Sequence, residues 1–380
     1  MSEDQVRVGL VGLGFIGKVH ANAYHAIPYC YKEPSESAKI CAVLRTKTGR
    51  DLELLGTLGI PYVTADESAF YDRDLDMVDI CTPNALHMDQ ALAALSRGLH
   101  VYVEKPLGMN LDHARVMADA ARKAGVLTHT AFMMRYFPGV RQAKAIIASG
   151  VLGEIYNFRA QFFHNSYMDP GRPTSWRLQD AMSGGGALTD LGVHVIDMMR
   201  YLLGEATWVR GRTRTFIKQR PATKGSDKRV PVDVDDWALC TIGLENGAVG
   251  CLEVTRLSGG LGDTTRIEIL GSRGSVVFDV DQHMHCEYYD QNTGRHHLGD
   301  LDFPAPEEEV GMEHLWPLSK MSLGHFVDAH TACIYDFLRR IRSGKPSLQD
   351  FDDAVKTQEI LEAAYLSARR DSEIIQLPLD

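Results

Sequence analysis

An apolar run, Val6–Val11, leads directly into Gly12-Leu13-Gly14-Phe15-Ile16-Gly17 and then into residues with helical spacing. No other feature of the chain narrows its possible folds as far. Three glycines spaced this way, between a strand and a helix, do three different things. The first permits a tight turn, the second lets backbone approach a pyrophosphate, and the third lets the helix pack closely on the strand. The helix N-terminus then offers unpaired N–H groups and the positive end of its dipole to the anion. The spacing predicts a dinucleotide-binding strand–helix unit, with Gly12, Gly14, Phe15, Ile16 and Gly17 at the cofactor.

The pattern continues through the first third of the chain. Strand-like runs recur at Ile40–Leu44, Met77–Cys81, His100–Glu104 and Val126–Phe132. Ala85–Gly98 and Leu111–Gly125 carry apolar residues at helical spacing and finish at glycines, as helix C-termini often do. Strand–helix alternation predicts a doubly wound parallel sheet covered on both faces, here over residues 1–135. The pattern changes after Pro138. A helix near Val140–Ser149, the strand Ile155–Phe163, the polar loop Asn165–Arg177 and a helix ending near Gly204 are followed by consecutive strand-like segments as far as Tyr289. Strands with turns but no helices between them predict an antiparallel sheet of about six strands with helices on one side. A second α/β domain is expected over 136–380, its sheet at about 151–320 and its closing helices at 324–370.

Composition excludes several classes. Forty basic against fifty acidic residues give a net charge of −10, unsuited to sequence-independent nucleic-acid binding. No apolar run approaches the ~20 residues of a membrane span, and MSEDQVRVGL lacks the shape of a signal peptide. The seven cysteines are scattered, odd in number and mostly set among apolar neighbours, which reads as reduced thiols in a cytoplasmic enzyme. His283, His285, Cys286, His296 and His297 lack carboxylates at ligand spacing, so no metal is expected. Neither a Gly-x-Ser-x-Gly elbow nor a Walker loop occurs.

Cofactor choice is read at the end of the second strand, where an acidic residue would bind the adenosine ribose of NAD. The chain has Arg45-Thr46-Lys47-Thr48-Gly49-Arg50 there. A cationic, hydroxyl-rich turn with no Asp or Glu suits a 2′-phosphate, so between NAD and NADP the reading leans to NADP.

Thr82-Pro83-Asn84 with His87, Glu104-Lys105-Pro106 and Gly185-Gly186-Ala187-Leu188-Thr189-Asp190-Leu191-Gly192-Val193-His194 stand in this order behind the glycine turn. Together they resemble the glucose–fructose oxidoreductase/inositol dehydrogenase/rhizopine-catabolism (Gfo/Idh/MocA) family over essentially the whole chain. The resemblance implies a Rossmann domain followed by an α/β domain with a large, open, mostly antiparallel sheet. It also implies NAD(P)-dependent oxidation or reduction of a sugar, anhydrosugar or inositol, and a homodimer or homotetramer. Thr82, Pro83, Asn84, His87, Glu104 and Lys105 are implied cofactor residues.

The catalytic residues can also be argued from their chemistry. Lys105 ends a parallel strand, at the edge where such sheets receive ligands, and its ammonium is suited to stabilising a developing alkoxide. Asp190 and His194 are four residues apart and share one side of a helix. A neutral imidazole accepts the hydroxyl proton, Asp190 orients substrate hydroxyls, and the proton role is exchangeable between His194 and Lys105. Trp176 and Arg177 are expected at the sugar and the nicotinamide end, and Tyr136 and His325 at the substrate. Arg210, Arg212 and Arg214 alternate along one strand and read as an exposed or interfacial sheet face. Two other functions fit the same motifs: a cofactor-retaining glycosidase that oxidises its sugar transiently, and a non-enzymatic NAD(P) sensor.

Overall fold

The computed structural model describes residues 5–31, 37–46, 55–56, 59–309, 312 and 314–379. It divides into two compact units, Met1–Met133 with His314–Val355, and Met134–Glu313 with Lys356–Asp380.

In the first unit β1 (Val6–Val11) passes through the glycine turn into α1 (Phe15–Cys30). Then follow β2 (Ala38–Leu44), β3 (Val63–Thr64), α2 (Glu67–Tyr71), β4 (Met77–Ile80), α3 (His87–Leu95), β5 (His100–Val103), α4 (Leu111–Ala124) and β6 (Thr128–Thr130). All strand pairs are parallel, in the order β3-β2-β1-β4-β5-β6. This is the doubly wound arrangement, and its direction reverses between β1 and β4, where such sheets open a crevice at their carboxyl ends. The central strands are mostly apolar because helices cover both faces; Val8, Leu10, Val78, Ile80, Val101 and Val103 are fully buried. Gly125 closes α4 in the left-handed region, at φ 65°, as its position after Leu111–Ala124 predicts.

The second unit opens with a short 3₁₀ turn, Met133–Tyr136, and α5 (Pro138–Ala148). After β7 (Ile155–Phe163) and the loop carrying Trp176, a π-helical turn, Leu188–Gly192, runs into α6 (Val193–Leu203). The remaining strands are β8 (Ala206–Arg214), β9 (Gln219–Pro221), β10 (Arg229–Pro231), β11 (Trp237–Leu244), β12 (Val249–Thr255), β13 (Thr264–Gly271), β14 (Gly274–Asp279), β15 (Cys286–Asp290), β16 (Arg295–Leu298) and β17 (Ile375–Gln376). Among the described residues, eight of them join β7 in one nine-stranded sheet, β16-β15-β14-β13-β7-β12-β11-β8-β17, while β9 and β10 make a separate hairpin. The sheet is larger than the six strands expected, because β7 returns to its centre and short edge strands extend both sides. It is antiparallel except where β7 pairs with β12. Residues alternate along its central strands: Ala238, Cys240 and Ile242 are buried while Leu239 is 38% exposed, and Arg210, Arg212 and Arg214 stand exposed on β8.

The late helices are α7 (His325–Ser343) and α8 (Phe351–Arg369). Both were expected in the second domain, yet α7 packs in the first unit. The reason is its apolar stripe. Phe326 lies against Phe15, His330 against His20, and Tyr335 stacks on Tyr31 at 3.6 Å between ring centroids. Tyr102 of β5 donates to the Cys333 thiol at 3.0 Å, and the Phe337 ring lies 5.9 Å from that of Tyr102. None of the described helices is long and apolar enough to cross a membrane. All seven cysteines are free thiols, and five of them are buried.

Candidate functional site

The first unit presents the cofactor elements. Gly12 has φ +88°, and a Cβ there would meet the Cys81 carbonyl at 2.8 Å. At Gly17 a Cβ would lie 2.2 Å from the Gly12 carbonyl oxygen, so only glycine lets α1 start this close to β1. Gly14 differs: a Cβ there meets nothing within 4 Å, and no side chain caps the helix that it precedes. An uncapped helix N-terminus beside an open backbone is what a pyrophosphate requires. The residues present therefore fit a dinucleotide. Phe15 is 71% exposed at this turn, and Ile16 is half-buried. Arg45, half-buried, follows β2 with its amide bonded to Thr64. Lys47 and Arg50, which supported the lean to NADP, lie outside the described residues.

The Thr82–His87 segment follows β4 across the crevice from the glycine turn. Thr82 donates to the Gln90 side chain at 2.6 Å, Pro83 is half-buried and precedes the Asn84–Leu86 turn, and Asn84 is buried. His87 is fully buried, its ring spanning the Pro106 carbonyl at 3.0 Å and the Thr82 carbonyl at 3.1 Å. It braces the two loops that follow β4 and β5. Burial lowers its pKa, against the pull of those carbonyls.

Lys105 follows β5, half-buried, at the carboxyl edge of the sheet. The Glu104 side chain before it points into the fold. One of its oxygens accepts the Lys105 amide at 3.2 Å and the other meets His20 Nε2 at 3.2 Å. His20 Nδ1 in turn lies 2.9 Å from Asp79, which also accepts from the Tyr24 hydroxyl. Burial alone would neutralise His20, but Asp79 and Cys81 outweigh it and raise its pKa well above the usual value. Burial likewise pushes Glu104 up, and the His20 hydrogen bond and charge overcome it, holding the carboxyl at about 2. His330 is pushed down by its own burial to about 3, despite Glu104. His20, Glu104 and His330 bring possible ligand atoms within 4.8 Å of one another, as do His20, Asp79 and Cys81. The hydrogen bonds of His20 account for the grouping as an imidazolium held between two carboxylates. His325 stands exposed at the first turn of α7, in this same unit.

The second unit brings together Asp190, His194, Trp176 and Arg177. Asp190 lies in the π turn and His194 in the first turn of α6, so they stay on one side of a continuous helical segment. Such single π turns recur at functional sites. His194 is 6% exposed, its ring 6.1 Å from Phe162 of β7. Tyr136 is buried beside the start of α5. The Arg177 guanidinium lies over the Trp176 ring at 4.3 Å, and its Nε is 4.0 Å from Asp190 Oδ1.

Two residues that sequence reasoning missed hold this segment. Asp235 accepts from the Gly186 and Leu188 amides, each at 2.9 Å, and from the Tyr365 hydroxyl at 2.7 Å. A Cβ on Gly186 would fall 1.9 Å from the Asp235 carbonyl oxygen, so this position requires glycine for the close approach. Arg256, 1% exposed after β12, donates to Asp190 Oδ2 and to the Arg177 carbonyl, both at 3.1 Å. Burial lowers the pKa of Arg256, but the charge of Asp190 more than restores it. His164, after β7, pairs with Asp263 at 3.2 Å. In sequence Asp235 stands only as the residue before the strand-like segment Asp236–Leu244, and Arg256 gave no signal.

The family model described as "Oxidoreductase family, NAD-binding Rossmann fold" matches residues 6–132, and "GFO/IDH/MocA C-terminal domain" matches 140–277. The levoglucosan dehydrogenase of Pseudarthrobacter phenanthrenivorans is 33% identical over 97% of both chains. The scyllo-inositol 2-dehydrogenase (NAD(+)) of Bacillus subtilis is 30% identical over 74% of this chain and 76% of its own. Among solved structures, a levoglucosan dehydrogenase in complex with NADH and levoglucosan superposes with a TM-score of 0.88 at 33% identity, covering 99% of this chain and all (100%) of its own. None of these relatives supports the lean to NADP.

Proposed function

Because the chain belongs to the GFO/IDH/MocA oxidoreductase family, we propose that it is an NAD-dependent dehydrogenase of a pyranoside, anhydrosugar or cyclic polyol. The observation that carries this reading is the Asp190–His194 pair on one helical side, with the Trp176–Arg177 loop tied to it through Arg256. Aromatic and bidentate polar groups beside a carboxylate suit a neutral, hydroxyl-rich ring. NAD, when bound at the glycine turn, supplies the hydride acceptor.

His194 takes the proton of the reacting hydroxyl, as its neutral imidazole can near working pH. Asp190 accepts hydrogen bonds from neighbouring hydroxyls and fixes which carbon reacts. Lys105, at the carboxyl edge of its own parallel sheet, carries an ammonium suited to stabilising an alkoxide. Its backbone is held by Glu104, and Glu104 by His20.

The test is a screen of anhydrosugars, pyranosides and inositols with NAD and with NADP, followed by nicotinamide absorbance. Reduction of NAD by at least one of these classes is expected. Release of an aglycone with no net change in absorbance would replace the dehydrogenase with a redox-assisted glycosidase. Cofactor binding without turnover of any of them would leave a sensor.

A further inference from the structure

Asp190 can orient substrate hydroxyls only if its own carboxylate is held in place. Asp190 sits in the π turn Leu188–Gly192, a kind of turn frequent at functional sites. Its side chain is 24% exposed, so part of it faces solvent, where a substrate hydroxyl would arrive. Across the unit, the loop from Asn165 to Arg177 has little regular structure beyond the short 3₁₀ turn that begins at Trp176. Acid and loop come from separate parts of the chain, and each needs an anchor.

We propose that Arg256 is the positioning residue of the substrate site: one buried guanidinium sets Asp190 and the Trp176–Arg177 loop together. Nη2 holds Asp190 Oδ2, Nη1 holds the Arg177 carbonyl, and the planar fork fixes the angle between them. The cation is fully enclosed, packed 5.1 Å from the centre of the Tyr167 ring, which belongs to the small apolar cluster with Leu178, Val232 and Val234. Its own backbone is fixed too, since the Arg256 amide donates to the Asp236 carbonyl at 2.9 Å. A buried charge of this kind is costly unless compensated, and a hydrophobic side chain often serves stability as well. The fork geometry is what Arg256 provides and what a lysine or methionine cannot reproduce.

This inference rests on the proposed substrate site, and the test separates the two. Arg256→Lys keeps the charge but lacks the fork. With the polyol substrate found in the screen, it should raise KM about tenfold or more, the loss typical of one charged hydrogen bond, with a smaller change in kcat and unchanged NAD affinity. In a cycle with Asp190→Asn, Arg256→Lys should cost less in the Asp190→Asn background than alone, because the Arg256–Asp190 bond is already lost there. Independent, multiplying effects, or a lowered melting midpoint with KM unchanged, would overturn the proposal and make Arg256 a structural ion pair. If Arg256→Met fails to fold, Arg256→Lys alone decides. If the unmodified chain turns over no polyol, the proposed function fails instead. The anchoring is then read from acrylamide quenching of Trp176, isolated by comparison with Trp176→Phe. Quenching that rises in Arg256→Lys upholds the anchor, and equal quenching removes it.

Discussion

The three glycines of the turn after β1 are expected to fail in different ways when each becomes alanine, because the structure gives each a different neighbour. At Gly17 the new Cβ would lie 2.2 Å from the Gly12 carbonyl oxygen. That oxygen belongs to backbone, so α1 and the turn must separate; overpacking of this kind costs about 1–3 kcal/mol. At Gly14 the Cβ meets nothing within 4 Å, and φ is −75°, open to any residue. Gly14→Ala should therefore leave stability within about 0.5 kcal/mol of the unmodified chain. Its methyl, however, occupies the space that a pyrophosphate needs, and NAD affinity should fall about tenfold or more, equivalent to about 1.4 kcal/mol. Gly12→Ala combines a φ of +88° with a 2.8 Å approach to the Cys81 carbonyl and should lose both stability and binding. Melting midpoints without ligand, together with calorimetric titration of NAD, separate the two effects. Wild-type NAD affinity in Gly14→Ala would refute the placement of the cofactor at this backbone. An unchanged midpoint in Gly17→Ala would refute the packing argument.

Four further outcomes are expected. His194→Ala should lower kcat by about 10²–10⁴, with NAD affinity retained and loss of the pH limb that rises through an imidazole pKa; an unchanged limb would move the base role to Lys105. NAD should bind more tightly than NADP, and Arg45→Glu should change NAD affinity little; calorimetric preference for NADP would instead restore the reading drawn from Arg45–Arg50. His330, held at about 3, and Glu104, held at about 2, both bind protons more readily in the unfolded chain, so stability should fall on acidification, from about 6.5 downward for His330 and from about 4.5 for Glu104. His330→Gln should flatten the first part of that decline in melting curves between pH 7 and 5, and an unaltered slope would discard the assignment. The outward face of the nine-stranded sheet, with Leu239 and Val249 38% and 40% exposed beside Arg212, should pair with a second copy; light scattering that returns a single chain mass at micromolar concentration would contradict this.

What the sequence made legible followed from local rules, and what it hid depended on pairing across distance. The glycine turn could be read because each of its requirements, tight turn, open backbone and close packing, is met within six consecutive residues. The Asp190–His194 pair could be read for the same reason, although its π turn could not, since nothing in Leu188–Gly192 departs from an ordinary helical pattern. Asp79 offered one usable signal: a carboxylate within the otherwise apolar run Met77–Cys81 must have a buried partner. That partner, His20, lies 59 residues earlier on α1, and the pairing needs the parallel register of β1 with β4 to bring α1 over β4. The placement of α7 depends on the stripe Phe326, His330, Cys333 and Phe337, whose helical spacing shows that one face is buried but not which neighbour buries it. Arg256 is the extreme case. Alone at the end of a strand it is indistinguishable from any surface arginine, and its meaning appears only when β12 sets it between a carboxylate 66 residues away and a carbonyl 79 residues away. Residues that perform chemistry can be sought by type and spacing, whereas residues that position them are defined by the fold alone.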